Sequence, residues 1–214
     1  ESLMVILPGE RVPIARLLGF LEHGERMAHV CAQRQAALAP DPKACRFLTT
    51  QARQEAMHAV VFRGAIAWLA PRHLGEAPFL PALEDYRRLL TEALDRGDWL
   101  ESLLAEQVIL EGLGEAILTR IESGLEKRRA PFRRLRRVLL HQEEAHHGFG
   151  RRVLERAMAE GGRDLDDLRL RTQDYLALTE SMVLTLCDLF ETIEEDAAAW
   201  AADVRTFLPI WLTA

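Results

Sequence analysis

Apolar residues return at three- and four-residue steps through four long stretches of the chain, the spacing of a helix face turned toward a core. Ile14, Leu18, Leu21, Ala28 and Ala32 share a face in the first stretch, and Leu48, Phe62, Ile66 and Leu69 in the second. Leu100, Leu104, Leu118 and Ile121 do so in the third, and Leu135, Leu139 and Val153 in the fourth. Helix-breaking and capping residues fall between them. Pro13 suits a first turn; Pro40-Asp41-Pro42 ends one helix and caps the next, with Pro42 at its first position. Asp98, after Gly97, is a further cap, Pro131 opens the last long helix, and Gly161-Gly162 closes it. The expected long helices are about 12–38, 42–70, 99–127 and 131–160, with a shorter one over about 82–96.

Short turns join the first helix to the second and the third to the fourth, while a long crossover separates the two pairs. That order predicts an all-α four-helix bundle with a crossover connection. Residues 164–214 read as additional C-terminal helices on a core of 12–160, all within a single domain of 1–214. The apolar tail over 207–212 is expected to pack on this bundle or on a second subunit.

Each apolar row is interrupted near its middle by an acid: Glu25, Glu55, Glu111 and Glu143. A buried carboxylate without a partner costs several kcal/mol, so four at one depth call for a cation. Two of them open a Glu-x-x-His sequence, Glu55-Ala-Met-His58 and Glu143-Glu-Ala-His146, which sets a carboxylate and an imidazole on one helix face. With 22 Glu and seven His in 214 residues, roughly 0.7 such matches arise by chance. Three occur, the third being Glu144 to His147, so the doubled motif outweighs a pair of incidental surface contacts. Glu144 and His147 align with Arg137 and Arg151, a solvated face, which makes Glu143 and His146 the inward pair. Glu22, one turn from Glu25, and Glu106, behind the row Trp99, Leu103, Leu110, Leu113, are the alternates for Glu25 and Glu111. His23, His29, His73 and His141 have no Glu three residues earlier and read as surface or packing residues.

Composition narrows the class. Ala, Leu, Glu and Arg dominate, and a formal charge of −6 with a pI near 5.7 argues against a nucleic-acid partner. The basic run of Lys127, Arg128, Arg129, Arg133, Arg134, Arg136 and Arg137 reads as a solvated helix start. Cys31, Cys45 and Cys187 form neither a disulfide framework nor a zinc-thiolate motif, which fits a reducing cytoplasm. No membrane span and no secretory signal are expected.

Glu25, Glu55-Ala-Met-His58, Glu111 and Glu143-Glu-Ala-His146 resemble the ferritin-like di-iron carboxylate superfamily over residues 12 to 160. Gln54-Glu-Ala-Met-His58 with Phe62, Leu110-Glu111-Gly112, and Glu143-Glu-Ala-His146 with Phe149-Gly150 look most like its ribonucleotide-reductase small-subunit and di-iron oxygenase branch. The resemblance implies two irons, or a manganese–iron pair, that react with dioxygen. Glu55 and Glu143 would then bridge the metals, Glu25 and Glu111 be terminal, and His58 and His146 give each metal one nitrogen. In reductase subunits a redox tyrosine follows the first motif histidine by one turn; Phe62 stands there here, and Tyr86 and Tyr175 lie outside the central helices.

The expected function is therefore a di-iron oxygenase or oxidase acting on a small, hydrophobic organic molecule with an external electron donor, as a cytoplasmic homodimer. Iron oxidation and storage in a many-subunit cage is one alternative, and a metal-free helical interaction module is another.

Overall fold

The computed structural model describes residues 6–127, 129, 132–192, 196–206 and 208–213, and among these no residue is in a strand. A short 3-10 turn at Pro8–Glu10 leads into α1, Arg11–Leu38, with Pro13 in its first turn. Asp41 accepts hydrogen bonds from the backbone N–H groups of Lys43 and Ala44 and so starts α2, Pro42–Leu69. The crossover runs through a 3-10 turn at Pro71–His73 and α3, Leu80–Asp95. Asp98 then caps α4, Trp99–Leu103, by accepting from the Glu101 N–H.

Here the structure departs from the expected continuous third helix. A π-helical turn occupies Leu104–Leu110 before α5, Glu111–Lys127, begins. The N–H of Glu111 reaches back five residues to the Glu106 carbonyl, so one extra residue is held in the turn. α6 spans Arg133–Ala159; Phe132 before it is left-handed at φ 62°, and Pro131, the expected opening residue, lies outside the described residues. Gly161, at φ 69°, takes the left-handed position that ends a helix.

α1 packs along α2, and α5 with the π-turn packs along α6. Gly150 permits the second contact, since a Cβ there would stand 2.5 Å from the Gln107 Cβ. The C-terminal helices are α7, Leu165–Leu184, α8, Cys187–Thr192, α9, Ala197–Thr206, and α10, Ile210–Thr213. They cover their own bundle: α7 lies against α3, α8 against α1, α9 against α5 and α7, and α10 against α7. Trp200, Leu208 and Leu212 join the apolar cluster that starts at Leu17; Phe207 of the expected tail lies outside the described residues. Leu135, assigned to the inward row of the fourth helix, is 42% exposed because it sits in the first turn of α6, beyond the packed middle of the bundle. No described helix is long and apolar enough to cross a membrane.

Candidate dinuclear metal site

The six residues singled out by the motif meet at the centre of the bundle. Glu25 comes from α1, Glu55 and His58 from α2, Glu111 from the first position of α5, and Glu143 and His146 from α6. All six are buried. Their donor atoms form two overlapping groups: Glu25, Glu55, His58 and Glu143, and then Glu55, Glu111, Glu143 and His146. Within each group every donor atom lies within 4.8 Å of the others. Glu55 and Glu143 belong to both groups, while each histidine belongs to one.

The histidines are aimed. His58 Nε2 donates to Gln142 Oε1 and His146 Nε2 to Gln54 Oε1, both at 2.7 Å. Each bond turns the other ring nitrogen inward, and a hydrogen bond to the far nitrogen is what fixes the orientation of a metal-binding imidazole. His58 Nδ1 stands 3.1 Å from Glu143 Oε1 and 3.3 Å from both Glu25 Oε2 and Glu55 Oε2. His146 Nδ1 stands 2.9 Å from Glu55 Oε1 and 3.6 Å from Glu111 Oε1. Neither Nδ1 makes a hydrogen bond of acceptable geometry, and Glu55 Oε2 and Glu143 Oε1 are likewise without one. Four buried, unsatisfied donor atoms at one point are what a cation would satisfy.

Electrostatics agree. Burial pushes the Glu25 carboxyl well above its ordinary range, and the nearby Glu143 and Glu55 add to the rise. Glu111 is raised by the same causes in the same order. Burial raises Glu55 too, but the close approach of Glu25, His146 and His58 outweighs it and holds this carboxylate well below the usual range. Burial would lower His58, yet Glu143, Glu25 and Glu55 overcome it and keep the imidazole protonated far above its ordinary value. A proton on His58 thus does part of the work that a cation would do. Four carboxylates also match the charge of two divalent ions, and hard oxygens with imidazole nitrogens suit iron or manganese.

The alternates resolve differently. Glu22 is buried but paired with Arg26 and, at 3.5 Å, with Arg63, so it faces the arginines of the bundle edge and not the centre. Glu106 is 1% exposed, its Oε2 has no hydrogen-bond partner, and burial, then Glu55 and Glu143, raises its carboxyl well above the ordinary range. It belongs to neither four-residue group. Together with Glu25, Glu111, Glu143, Phe20 and Leu110 it lines a cavity of about 40 Å³ that reaches the carboxylates. At about 10–15 Å³ per water, that volume admits a dioxygen-sized guest.

His147 corrects the sequence reading. It is buried, not solvated, and its Nδ1 lies 2.8 Å from Glu115 Oε2, because Glu115 of α5 reaches across to that face of α6. Glu144 is exposed as expected. His23 Nδ1 and His29 Nδ1 meet backbone carbonyls, His73 meets Glu76, and His141 is exposed.

Glutamines are what the sequence reading missed. Gln54 and Gln142 each directly precede a motif glutamate, so the repeat is Gln-Glu-x-x-His, and each Gln serves the histidine of the opposite copy. Gln51, one turn before Glu55, donates to Glu55 Oε1 at 2.9 Å and Glu111 Oε1 at 3.0 Å. No local pattern marks it, since its second partner is sixty positions away.

No protein-family model matches the chain, and no curated protein matches it by sequence. A solved structure does: a protein from Synechococcus described as having aldehyde deformylating oxidase activity, with a TM-score of 0.76 and 20% identity, covering 96% of this chain and 90% of that one. The fold is the ferritin-like one. Nearly full coverage in both directions extends that statement to the crossover and the C-terminal helices as well as the four long ones.

Proposed function

We propose that this protein is a di-iron oxygenase or oxidase that activates dioxygen at a carboxylate-bridged dinuclear site to oxidise a small apolar organic molecule. The observation that carries it is the pair of overlapping donor groups sharing Glu55 and Glu143. Glu55 and Glu143 would be shared between the two metals, Glu25 and Glu111 would serve one metal each, and His58 and His146 would supply one nitrogen to each. Iron, once bound, supplies the electrons and the open coordination positions that dioxygen reduction needs.

The chain supplies the rest. Gln54 and Gln142 hold the imidazoles with Nδ1 turned toward the carboxylates, where a metal would displace any proton it carries. Phe20, Leu21, Leu83, Leu110 and Leu113 supply the apolar wall of the cavity opposite the carboxylates. The cavity suits dioxygen as it stands, and an organic substrate enters it only as these side chains move. An aldehyde with an apolar chain is the first substrate to try, on the precedent of the fold neighbour's described activity.

Two ferrous ions give up one electron each, so repeated turnover needs an external donor. The protein is taken to work as a homodimer in the cytoplasm. The test is to load the purified protein anaerobically with ferrous iron, then follow dioxygen consumption with a reductant and a series of linear aldehydes. About two irons per chain and consumption that depends on the organic substrate are expected, with light scattering reporting a dimer. Substrate-independent uptake of hundreds of irons by a large shell would establish storage instead, and a chain that retains no iron would leave a helical interaction module.

A further inference from the structure

The two halves of the site are not held alike. Gln51 turns its NH2 toward Glu55 and Glu111, which leaves its carbonyl facing away. Gln107 Nε2 donates to that carbonyl at 3.1 Å and to Gln35 Oε1 at 2.7 Å. Gln35 Nε2 in turn donates to Gln107 Oε1 at 2.9 Å and to Ser102 Oγ at 3.1 Å. Ser102 donates to the Trp99 carbonyl at 2.6 Å, and the Trp99 indole N–H donates to the Gln35 carbonyl. Gln35, Gln51, Ser102 and Gln107 are all buried, so none of these bonds competes with water.

This amide chain ends on Glu55 and Glu111, in the half that contains His146. Glu55 is common to both halves, so the difference lies between Glu111 and Glu25. No amide donor reaches Glu25 among the described residues; its partners are His58 and neighbouring carboxylates. Glu25 and Glu111 both line the cavity, so the amide donor on Glu111 is what separates them. A ligand already pinned in place loses less freedom on binding than one that must be collected.

We propose that the amide chain through Gln51 makes the site load in order, the first metal entering the Glu55–Glu111–Glu143–His146 half and the second, exchangeable one the Glu25–His58 half. Gln51, Gln107 and Gln35 are then positioning residues, and the late-loading half is where a different second metal would be accepted. This rests on the dinuclear reading above.

Titration of the metal-free chain with Mn(II), followed by electron paramagnetic resonance, tests it. Isolated bound ions are expected up to one equivalent, with the exchange-coupled pair appearing only beyond it. Glu25→Ala should keep the tight step and lose the second, whereas Glu111→Ala should lose the tight step. Gln51→Leu should weaken the tight step by about 10–100-fold and the second step by less, because only Glu55 is common to both, with circular dichroism confirming the fold. A coupled signal growing from the first addition, or loss of the tight step in Glu25→Ala, overturns the proposed order whatever Gln51→Leu does. Wild-type protein that binds neither Mn(II) nor Fe(II) overturns the dinuclear reading itself.

Discussion

α1 and α2 each run 28 residues without a break, whereas the third long helix carries a seven-residue π-turn that ends where Glu111 begins. In the first pair Gly24 has open space beside Glu25; in the second, Gly114 would place a Cβ 3.1 Å from Glu143 Oε2 and Gly150 one 2.5 Å from Gln107. The first pair is therefore regular in backbone with open space at Gly24, and the second is irregular in backbone and closely approached at Gly114 and Gly150. The extra residue of the π-turn explains the difference. It lets Glu106 and Glu111, five apart, both turn toward the centre, and it brings Gln107 into line with Gln51 and Gln35. Irregular helix turns of this kind gather at functional sites because they re-aim side chains that a 3.6-residue period would send elsewhere.

The largest effect expected concerns the residues common to both donor groups. Glu55→Ala or Glu143→Ala should abolish retention of both metals, since each carboxylate belongs to both donor groups. Glu25→Ala or Glu111→Ala should each cost one metal, and the exposed Glu144→Ala none. Iron per chain after loading and desalting decides this, and equal losses in all five would break the assignment of inward faces.

Next in size is the tight contact. Gly150→Ala must displace Gln107 or α6, so thermal unfolding should show a loss of about 1–3 kcal/mol. An unchanged melting temperature would mean that the two elements can part without cost.

Glu106 and pH come third. Glu25, Glu106 and Glu111 are raised above 4.5, so the folded, metal-free chain keeps protons that the unfolded chain has released. Stability should then fall as pH rises from about 4.5 through the folded values. His58, raised above 6.5, acts in the same direction, because its contribution is lost as pH climbs toward its folded value. Glu55 is lowered and opposes them only toward acid pH. The metal-free melting temperature should thus drop between pH 5 and 8. Glu106→Leu should lessen that drop and stabilise the metal-free protein by about 1–3 kcal/mol at neutral pH, while leaving metal content unchanged. Loss of a metal in this variant would make Glu106 a ligand.

The smallest effect is expected at Gly24. Gly24→Ala meets no neighbour and removes backbone freedom from the unfolded chain, so it should stabilise by about 0.5–1 kcal/mol. Destabilisation would show that the first pair is as tightly packed as the second.

Much of this architecture is written locally. Asp41 with Pro42, Asp98 after Gly97, and Gly161 fix three helix ends through bonds within a few residues, and all three fall where the sequence puts them. Glu55 with His58, and Glu143 with His146, were legible because a helix brings positions three apart onto one face whatever surrounds it. The misreadings have the opposite origin. His147 looked solvated because its own helix face is rich in arginine, and only Glu115, 32 positions away, buries it. Leu135 looked inward because the period continued, but the bundle no longer covers the first turn of α6.

The sequence by itself determined the helical class, the order of the helices and the inward placement of four glutamates and two histidines, because each follows from a short-range period or from caps and breaks that act within a turn. Tertiary structure alone decided that Glu106 and Glu111 both face the centre, that Glu22 does not, and that each histidine is aimed by a glutamine from the other motif. It also decided that Gln51 donates to Glu55 and Glu111, while no amide donor reaches Glu25 among the described residues. Those outcomes depend on an extra residue held in one turn and on contacts between side chains 56 to 92 positions apart. Hydrogen bonds over such separations form only after the helices have packed, so no local pattern records them.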